Sequence, residues 1–237
     1  MRTKWLVGVI CMLCVVIVVM VCQPAIAAER DARVGISERP RMFAVPRVPI
    51  QARQAAEKGK NTLIELVKDD DKHAQELGFA SAAEAANTKL GNPYPVFFVA
   101  LDKLKEWQPE DNSKKLLDLL EKTDQIVFPL VVGNKIKSSL TVTQIGAGWR
   151  ATEWGAKERI KLLDDALDNA RISEFNFLVT IPALNMDILG DTTDGPLRVI
   201  PIRDDPRYRL MRMESISAED FFVKLLPEAK AHDGNPR

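Results

Sequence analysis

The chain has 237 residues, 46% of them apolar, with 33 basic and 33 acidic side chains. That length suits one ordinary domain or two small ones, and the apolar share is enough to build a core. The balanced charge lacks the basic excess of a nucleic-acid binder, so that class is set aside.

Arg2 and Lys4 form a cationic start, and residues 6–22 are almost entirely apolar. Ala25-Ile26-Ala27 then supplies an A-x-A site, completing the three-part layout of a secretory signal peptide over residues 1–27. The alternative is an uncleaved anchor, because the apolar run is nearly long enough to span a bilayer. Val21 before Cys22 does not suit a lipoprotein. Cys11, Cys14 and Cys22 all lie in this leader, so Cys11-x-x-Cys14 reads as part of a hydrophobic helix rather than as a redox or zinc motif. Without the leader the chain has no cysteine, and 31 basic residues face 33 acidic ones. The expected location is the periplasm or the exterior of a bacterial cell, or the inner membrane if residues 6–22 remain as an anchor.

Residues 28–50 carry Arg30, Arg33, Arg39, Arg41 and Arg47 with Pro40, Pro46 and Pro49. Proline disfavours regular ladders, so an extended arm is expected, with Met42, Phe43 and Val45 as its apolar anchors if it docks. Residues 51–92 read as a helical segment. Gln51–Val67 is a helix. Asp69, Asp70 and Asp71 open no calcium loop, since the sixth and twelfth positions are Ala74 and Ala80, and they read as a solvated turn. Ser81-Ala82-Ala83-Glu84 is a capping box starting a short helix, which Leu90-Gly91 ends.

Residues 93–172 form a first α+β half. "YPVFFVALDKLKEW" predicts a buried strand and a helical turn. "EDNSKKLLDLLEKT" predicts an amphipathic helix with Leu116, Leu117, Leu119 and Leu120 on one side. "IVFPLVVGNKIKSSLTVTQI" predicts a hairpin turning at Gly133-Asn134, with Pro129 marking an edge or a bulge. Gly146-Ala147-Gly148-Trp149-Arg150-Ala151 then fits G-x-G-x-x-G/A. A dinucleotide site needs this turn between a buried parallel strand and a helix, with a ribose-binding acid about twenty residues on. Ile136–Ile145 is instead the second arm of a hairpin and alternates apolar with polar residues. Trp149 would crowd a pyrophosphate, and Glu174 would begin the next strand. The glycines therefore read as a joint into a helix over Ala151–Ala170, pinned by Trp149 and Trp154, and no cofactor is expected.

Residues 173–230 form a second half of the same plan. "EFNFLVTIPALNMDILG" predicts a strand and a short helical turn, with Ala183-Leu184-Asn185 standing where Ala100-Leu101-Asp102 stood. "LRVIPIRDDPRYRLMRM" predicts a hairpin turning at Asp204-Asp205-Pro206. Ser217-Ala218-Glu219-Asp220 caps a last helix over Phe221–Ala229, and residues 231–237 form a frayed tail. The fold class is α+β: antiparallel sheet with helices on one face, in two pseudo-repeated strand, turn, hairpin and helix halves.

Little chemistry is signalled. His73 and His232 are the only histidines, too few for an ordinary zinc site in a chain without cysteine. G-x-S-x-G, P-loop and H-E-x-x-H motifs are absent. Asp164-Asp165 and Asp204-Asp205 leave a carboxylate hydrolase as an alternative. Arg198, Arg203, Arg207, Arg209 and Arg212 form a basic strip on the last hairpin. It suits an acidic partner or lipid head groups, or guards a sheet edge.

"FLVTIPALNMDILG" and, more loosely, "YPVFFVALDKLKEW" resemble a phrase that follows helices in the soluble intermembrane-space component of the chloroplast inner-envelope translocon and its cyanobacterial periplasmic relatives. The likeness spans about residues 94–190 and does not extend to the N-terminal arm or the Trp-rich joint. It implies a non-enzymatic, chaperone-like role toward exported or outer-membrane proteins, and it transfers no site residue. The expectation is an exported, non-catalytic protein- or peptide-binding module. Its ligand groove would be lined by Phe97, Phe98, Trp149, Trp154, Phe177 and Met186. A purely structural tethered domain is the other alternative. Membrane contact is expected only if the leader stays.

Overall fold

The computed structural model describes residues 45–109, 116–155, 162, 177–192 and 196–233. The leader, the arm up to residue 44, Asp164-Asp165 and the last four residues lie outside these. Among the described residues no helix is long and apolar enough to cross a membrane.

The protein is a mixed α+β structure built on a large, mostly antiparallel sheet. Helix α1 (Ile50–Val67) buries Ala52, Ala56, Gly59, Leu63 and Val67, one stripe at three- and four-residue spacing. Two short helices follow, α2 (Asp71–Glu76) and α3 (Ala82–Ala86). The acidic turn before α2 has structural work. Asp70 accepts the His73 backbone N–H and caps α2, while Asp71 accepts the Ala82 N–H and ties α2 to α3. Ser81 accepts the Glu84 N–H as a capping box requires, but Glu84 reaches back to the Ala80 N–H instead of that of Ser81. Helix α3 ends at Ala86, earlier than Leu90-Gly91, because Lys89–Leu90 pairs with a later strand as β1.

Then come β2 (Tyr94–Val99), α4 (Leu101–Glu106), β3 (Leu120–Val132) and β4 (Lys135–Ile145). These realise the predicted strand with its helical turn and the hairpin at Gly133-Asn134. Leu116 and Leu117 are helical, but Leu120 already belongs to β3. Pro129 lies in an interior strand, not at an edge. The Pro129 carbonyl accepts the Gly91 N–H, so its absent donor faces the gap where β1 gives way to β2. A register shift follows at Leu130/Val131.

The expected joint is a second hairpin. Ile145 pairs with Gly148 across a two-residue turn, Gly146-Ala147, with φ +60° at Gly146. A positive φ at the first central residue is what such turns require. The chain continues as β5 (Gly148–Gly155), so the helix expected from Ala151 does not begin there. The turn joins two antiparallel strands and opens no helix, which removes the geometry of a dinucleotide fingerprint.

The second half brings β6 (Phe177–Ile181), a 3-10 turn over Pro182–Leu184 and β7 (Met186–Asp191). The stretch after the turn is a full strand, since Asn185 in the left-handed region (φ 49°) folds Met186 back onto Ile181. β8 (Arg198–Pro201) and β9 (Ile216–Ser217) follow, then α5 (Ala218–Ala231), capped by the Ser217 hydroxyl at the Asp220 N–H. The predicted hairpin at Asp204-Asp205-Pro206 is corrected: β8 pairs with β9, and residues 202–215 form a long loop. Helix α5 outlasts the predicted Ala229, and His232 is buried, so the tail is tied down to that point.

The sheet order is β5-β4-β3-β2-β6-β7-β8-β9, with β1 beside β3. The central pair β2 and β6 is parallel and the other pairings are antiparallel. Each half thus meanders outward from the centre. Pro95 opposes Ile126, which places Phe97 and Val99 on the same face as Ile126 and Phe128. That face carries two clusters. One packs α4 and α5 on β2, β6, β7 and β8, with Phe221, Phe222 and Leu225 inside. The other packs α1 to α3 on β3, β4 and β5. The opposite face holds Tyr94, Val96, Val127, Leu178, Leu189 and Ile200, against which Leu162, itself helical, packs. Val45 and Val48 pack on the first and second clusters, so the end of the arm is seated, not free.

Candidate functional site: the arginine loop between β8 and β9

The expected groove is not formed by the residues assigned to it. Phe97, Phe177 and Met186 are core residues, and the Phe97 and Phe177 rings meet edge to face at 5.0 Å. The central β2/β6 pairing closes the space between the halves, because the halves share one continuous sheet. Phe98 is half-buried. Trp149 and Trp154 pack against the α1 cluster, with the Trp154 indole N–H donating to the Gly59 carbonyl at 3.1 Å.

The basic strip is also rearranged. Arg198 lies on β8, and its guanidinium donates to the Ser215 hydroxyl (2.8 Å) and carbonyl (2.6 Å), stapling the loop's end to the strand. The other four arginines sit in the loop, where Arg207 and Arg209 do not share a strand face. Residues 206–208 are a 3-10 turn, and Arg209 is left-handed at φ 52°.

The loop is built from its acidic residues outward. Asp205 accepts the Arg207 backbone N–H (3.1 Å) and both Nε (3.0 Å) and Nη2 (2.6 Å) of its guanidinium. This bidentate bond from Arg207 holds the Asp205 carboxyl below the usual carboxylate range, against the opposing effect of burial. The guanidinium also lies 5.1 Å from the centre of the buried Tyr208 ring. Asp205 and Leu210 exchange backbone hydrogen bonds, both 3.0 Å, closing the turn. Asp204 accepts the Arg212 N–H (2.6 Å), and Lys224 of α5 donates to the Arg209 carbonyl (3.3 Å). Met213, with φ 66°, donates its N–H to Pro201. Tyr208 and Leu210 are driven into the core, and between these anchors Met211 stands 66% exposed. Asp204, Pro206, Arg209, Leu210 and Met211 line a shallow hollow at the loop's tip. Two non-glycine residues with positive φ in one loop are costly, of the order of 1 kcal/mol or more each, and persist only where the surroundings fix them.

The sequence placed the arginines and the turn at Asp205-Pro206 but missed Met211. Alternation of Tyr208 and Leu210 with polar neighbours mimics a strand, and the reversal at Arg209 has no sequence mark beyond the preceding proline.

Asp205→Asn is expected to lower stability at neutral pH by about 1–2 kcal/mol, the worth of a hydrogen bond to a charged partner. A depressed carboxyl stabilises the fold above its unfolded value of about 4, and that contribution is lost as pH falls through the lower folded value. The asparagine variant should therefore show a shallower fall in thermal midpoint than the wild type below about pH 4. Equal slopes would rule out the clamp. Glu84 is also held low, by the Ala80 N–H first and Lys137 after it, and contributes equally to both proteins.

Among the described residues no three His, Cys, Asp or Glu side chains converge as a metal site would need. Compared with protein families, curated proteins and solved structures, the chain matches none.

Proposed function

We propose that the chain is an exported, non-catalytic module of the bacterial envelope that binds protein or peptide segments, with the β8–β9 loop as its docking surface. The observation that supports this is Met211, held out at 66% exposure while Tyr208 and Leu210 beside it are buried. Methionine adapts to varied apolar partners, and the exposed Arg203 and Arg209 offer guanidinium groups suited to carboxylates. A segment mixing apolar and acidic residues is the ligand that fits. The signal-like leader supports a location where unfolded exported segments travel, and a chaperone or assembly role would suit such a location. Carboxylate-dependent glycan hydrolysis draws less support. Asp204 and Asp205 are engaged in holding the loop. The buried Asp187 and Asp191 lie four residues apart on β7, about 13 Å along a strand, wider than the roughly 5–9.5 Å that glycosidase pairs use.

The test uses chain recovered from the envelope fraction and a urea-unfolded outer-membrane barrel protein diluted beside it. The wild type should suppress light scattering near stoichiometric ratio, and Met211→Asp should lose at least about half of that effect, since a charge replaces an apolar anchor. No suppression by the wild type, or equal suppression by the variant, would refute the reading.

A further inference from the structure

β5 reads Gly148-Trp149-Arg150-Ala151-Thr152-Glu153-Trp154-Gly155, which is a palindrome in chemical terms. About its centre, glycine mirrors glycine, tryptophan mirrors tryptophan, and arginine mirrors glutamate. β5 is also an end strand: among the described residues it pairs with β4 alone. We infer that β5 is a self-complementary edge at which a second copy of this chain adds its own β5 antiparallel across a two-fold axis, joining two sheets into one.

In that pairing the axis passes between Ala151 and Thr152. Gly148 faces Gly155 of the second copy, Trp149 faces its Trp154, and Arg150 faces its Glu153. Each pair occurs twice, as an isologous interface demands.

A symmetry argument tests this register. Directly opposed residues of an antiparallel ladder lie on the same face of the sheet. A regular strand puts residues three or five apart on opposite faces. Trp149 with Trp154, and Arg150 with Glu153, would then point to different sides, and an eight-residue palindrome could not pair with itself. β5 is not regular. Thr141 pairs with Glu153 and Val142 with Ala151, so Thr152 is an inserted residue, a bulge at the centre of the palindrome. Its effect is visible in the contacts. Trp149, Ala151 and Trp154 all pack toward α1. Glu153 accepts from the Thr141 hydroxyl (3.3 Å), and Thr152 meets the Thr143 hydroxyl (2.8 Å) on the other face, where Arg150 opposes Thr143. The bulge thus sets both tryptophans on one side and both charges on the other, the phase that two-fold pairing of these four residues requires, and leaves the central Ala151 and Thr152, which lie on opposite faces, outside the ladder.

The edge is chemically ready for it. Gly148, Arg150, Thr152 and Glu153 are exposed and both tryptophans are half-buried. Arg150 makes no ion pair among the described residues, and a β carbon on Gly148 would meet nothing closer than 4.0 Å. Edge charges commonly keep strands apart. Here they are of opposite sign and sit where this one register joins them.

The experiment measures the mass of the full chain in mild detergent by sedimentation across the micromolar range. The wild type should dimerise. Arg150→Glu opposes glutamate to glutamate twice and should weaken dimerisation on the order of tenfold or more. Glu153→Arg should do the same from the other side. The double reversal, Arg150→Glu with Glu153→Arg, restores both pairs and should restore the dimer. Circular dichroism checks that these exposed substitutions leave the fold intact. A monomer at every concentration, a mass unmoved by either single reversal, or a double variant that stays monomeric would each overturn the inference. The first outcome is also what an edge reserved for an extended client peptide would give.

Discussion

Gly190→Ala is expected to lower the thermal midpoint by about 6–12 °C, the response of a domain of this size to a loss of about 3 kcal/mol. Gly190 faces Phe177 directly across the β6–β7 ladder. A β carbon there would lie 2.2 Å from two atoms of the Phe177 ring, inside any tolerable contact. The ring has nowhere to retreat. Phe177 is fully buried and wedged against Phe97 at the parallel junction of the two halves. Relief would have to come from backbone movement where both meanders meet, so the cost is not local to one side chain. Pairing Gly190→Ala with Phe177→Leu trims the clashing ring and should recover part of the loss. A single variant that melts within about a degree of the wild type would show that the ring is free to move.

That junction also shows which parts of the fold were legible in the sequence. "YPVFFV" is an unbroken apolar run and "FLVTI" is interrupted only by Thr180; strands buried on both faces carry such near-continuous runs, so the two central strands could be read directly. Helices α1 and α5 were also read, α5 from the Ser217 cap at its start. What failed were places where one residue's backbone overrides a local pattern. Asn185 and Arg209 turn the chain at positive φ, so Met186–Asp191 became a strand and Arg209–Met213 did not. "ATEW" resembles a helix start because the bulge at Thr152 breaks the alternation that would mark a strand. For the candidate site, composition found the arginines but not their roles. Arg198 and Arg207 are spent on Ser215 and Asp205, and exposure of Met211 follows from the burial of its neighbours, which depends on contacts remote in sequence. The palindrome of β5 was legible throughout, but it acquires meaning only once β5 is known to be an end strand.

Gly59→Ala is the substitution for which sequence and structure forecast opposite signs. Gly59 is in the interior of α1, where alanine ordinarily stabilises by about 1 kcal/mol. Here its β carbon would fall 2.5 Å from that of Ala151 on β5 and 3.2 Å from both methyl carbons of Leu140 on β4. Neither can give way easily, since Leu140 is fully buried and the Ala151 β carbon is fixed to the strand backbone. The helix must therefore lift from the sheet, and the Trp154 indole must stretch its bond to the Gly59 carbonyl. The steric term exceeds the propensity term, and we expect a net loss of about 2 kcal/mol by thermal or urea unfolding. Ala151→Gly alone should cost about 1 kcal/mol through lost contact and greater chain freedom. Combined with Gly59→Ala it exchanges which partner carries the β carbon, and the double variant should be more stable than the sum of the single effects by 1 kcal/mol or more. Simple additivity, or a stabilising Gly59→Ala, would mean that α1 does not sit on β5 at this distance. A positive coupling would establish that the end strand, and with it the face carrying Trp149 and Trp154, is held in place by the N-terminal helix.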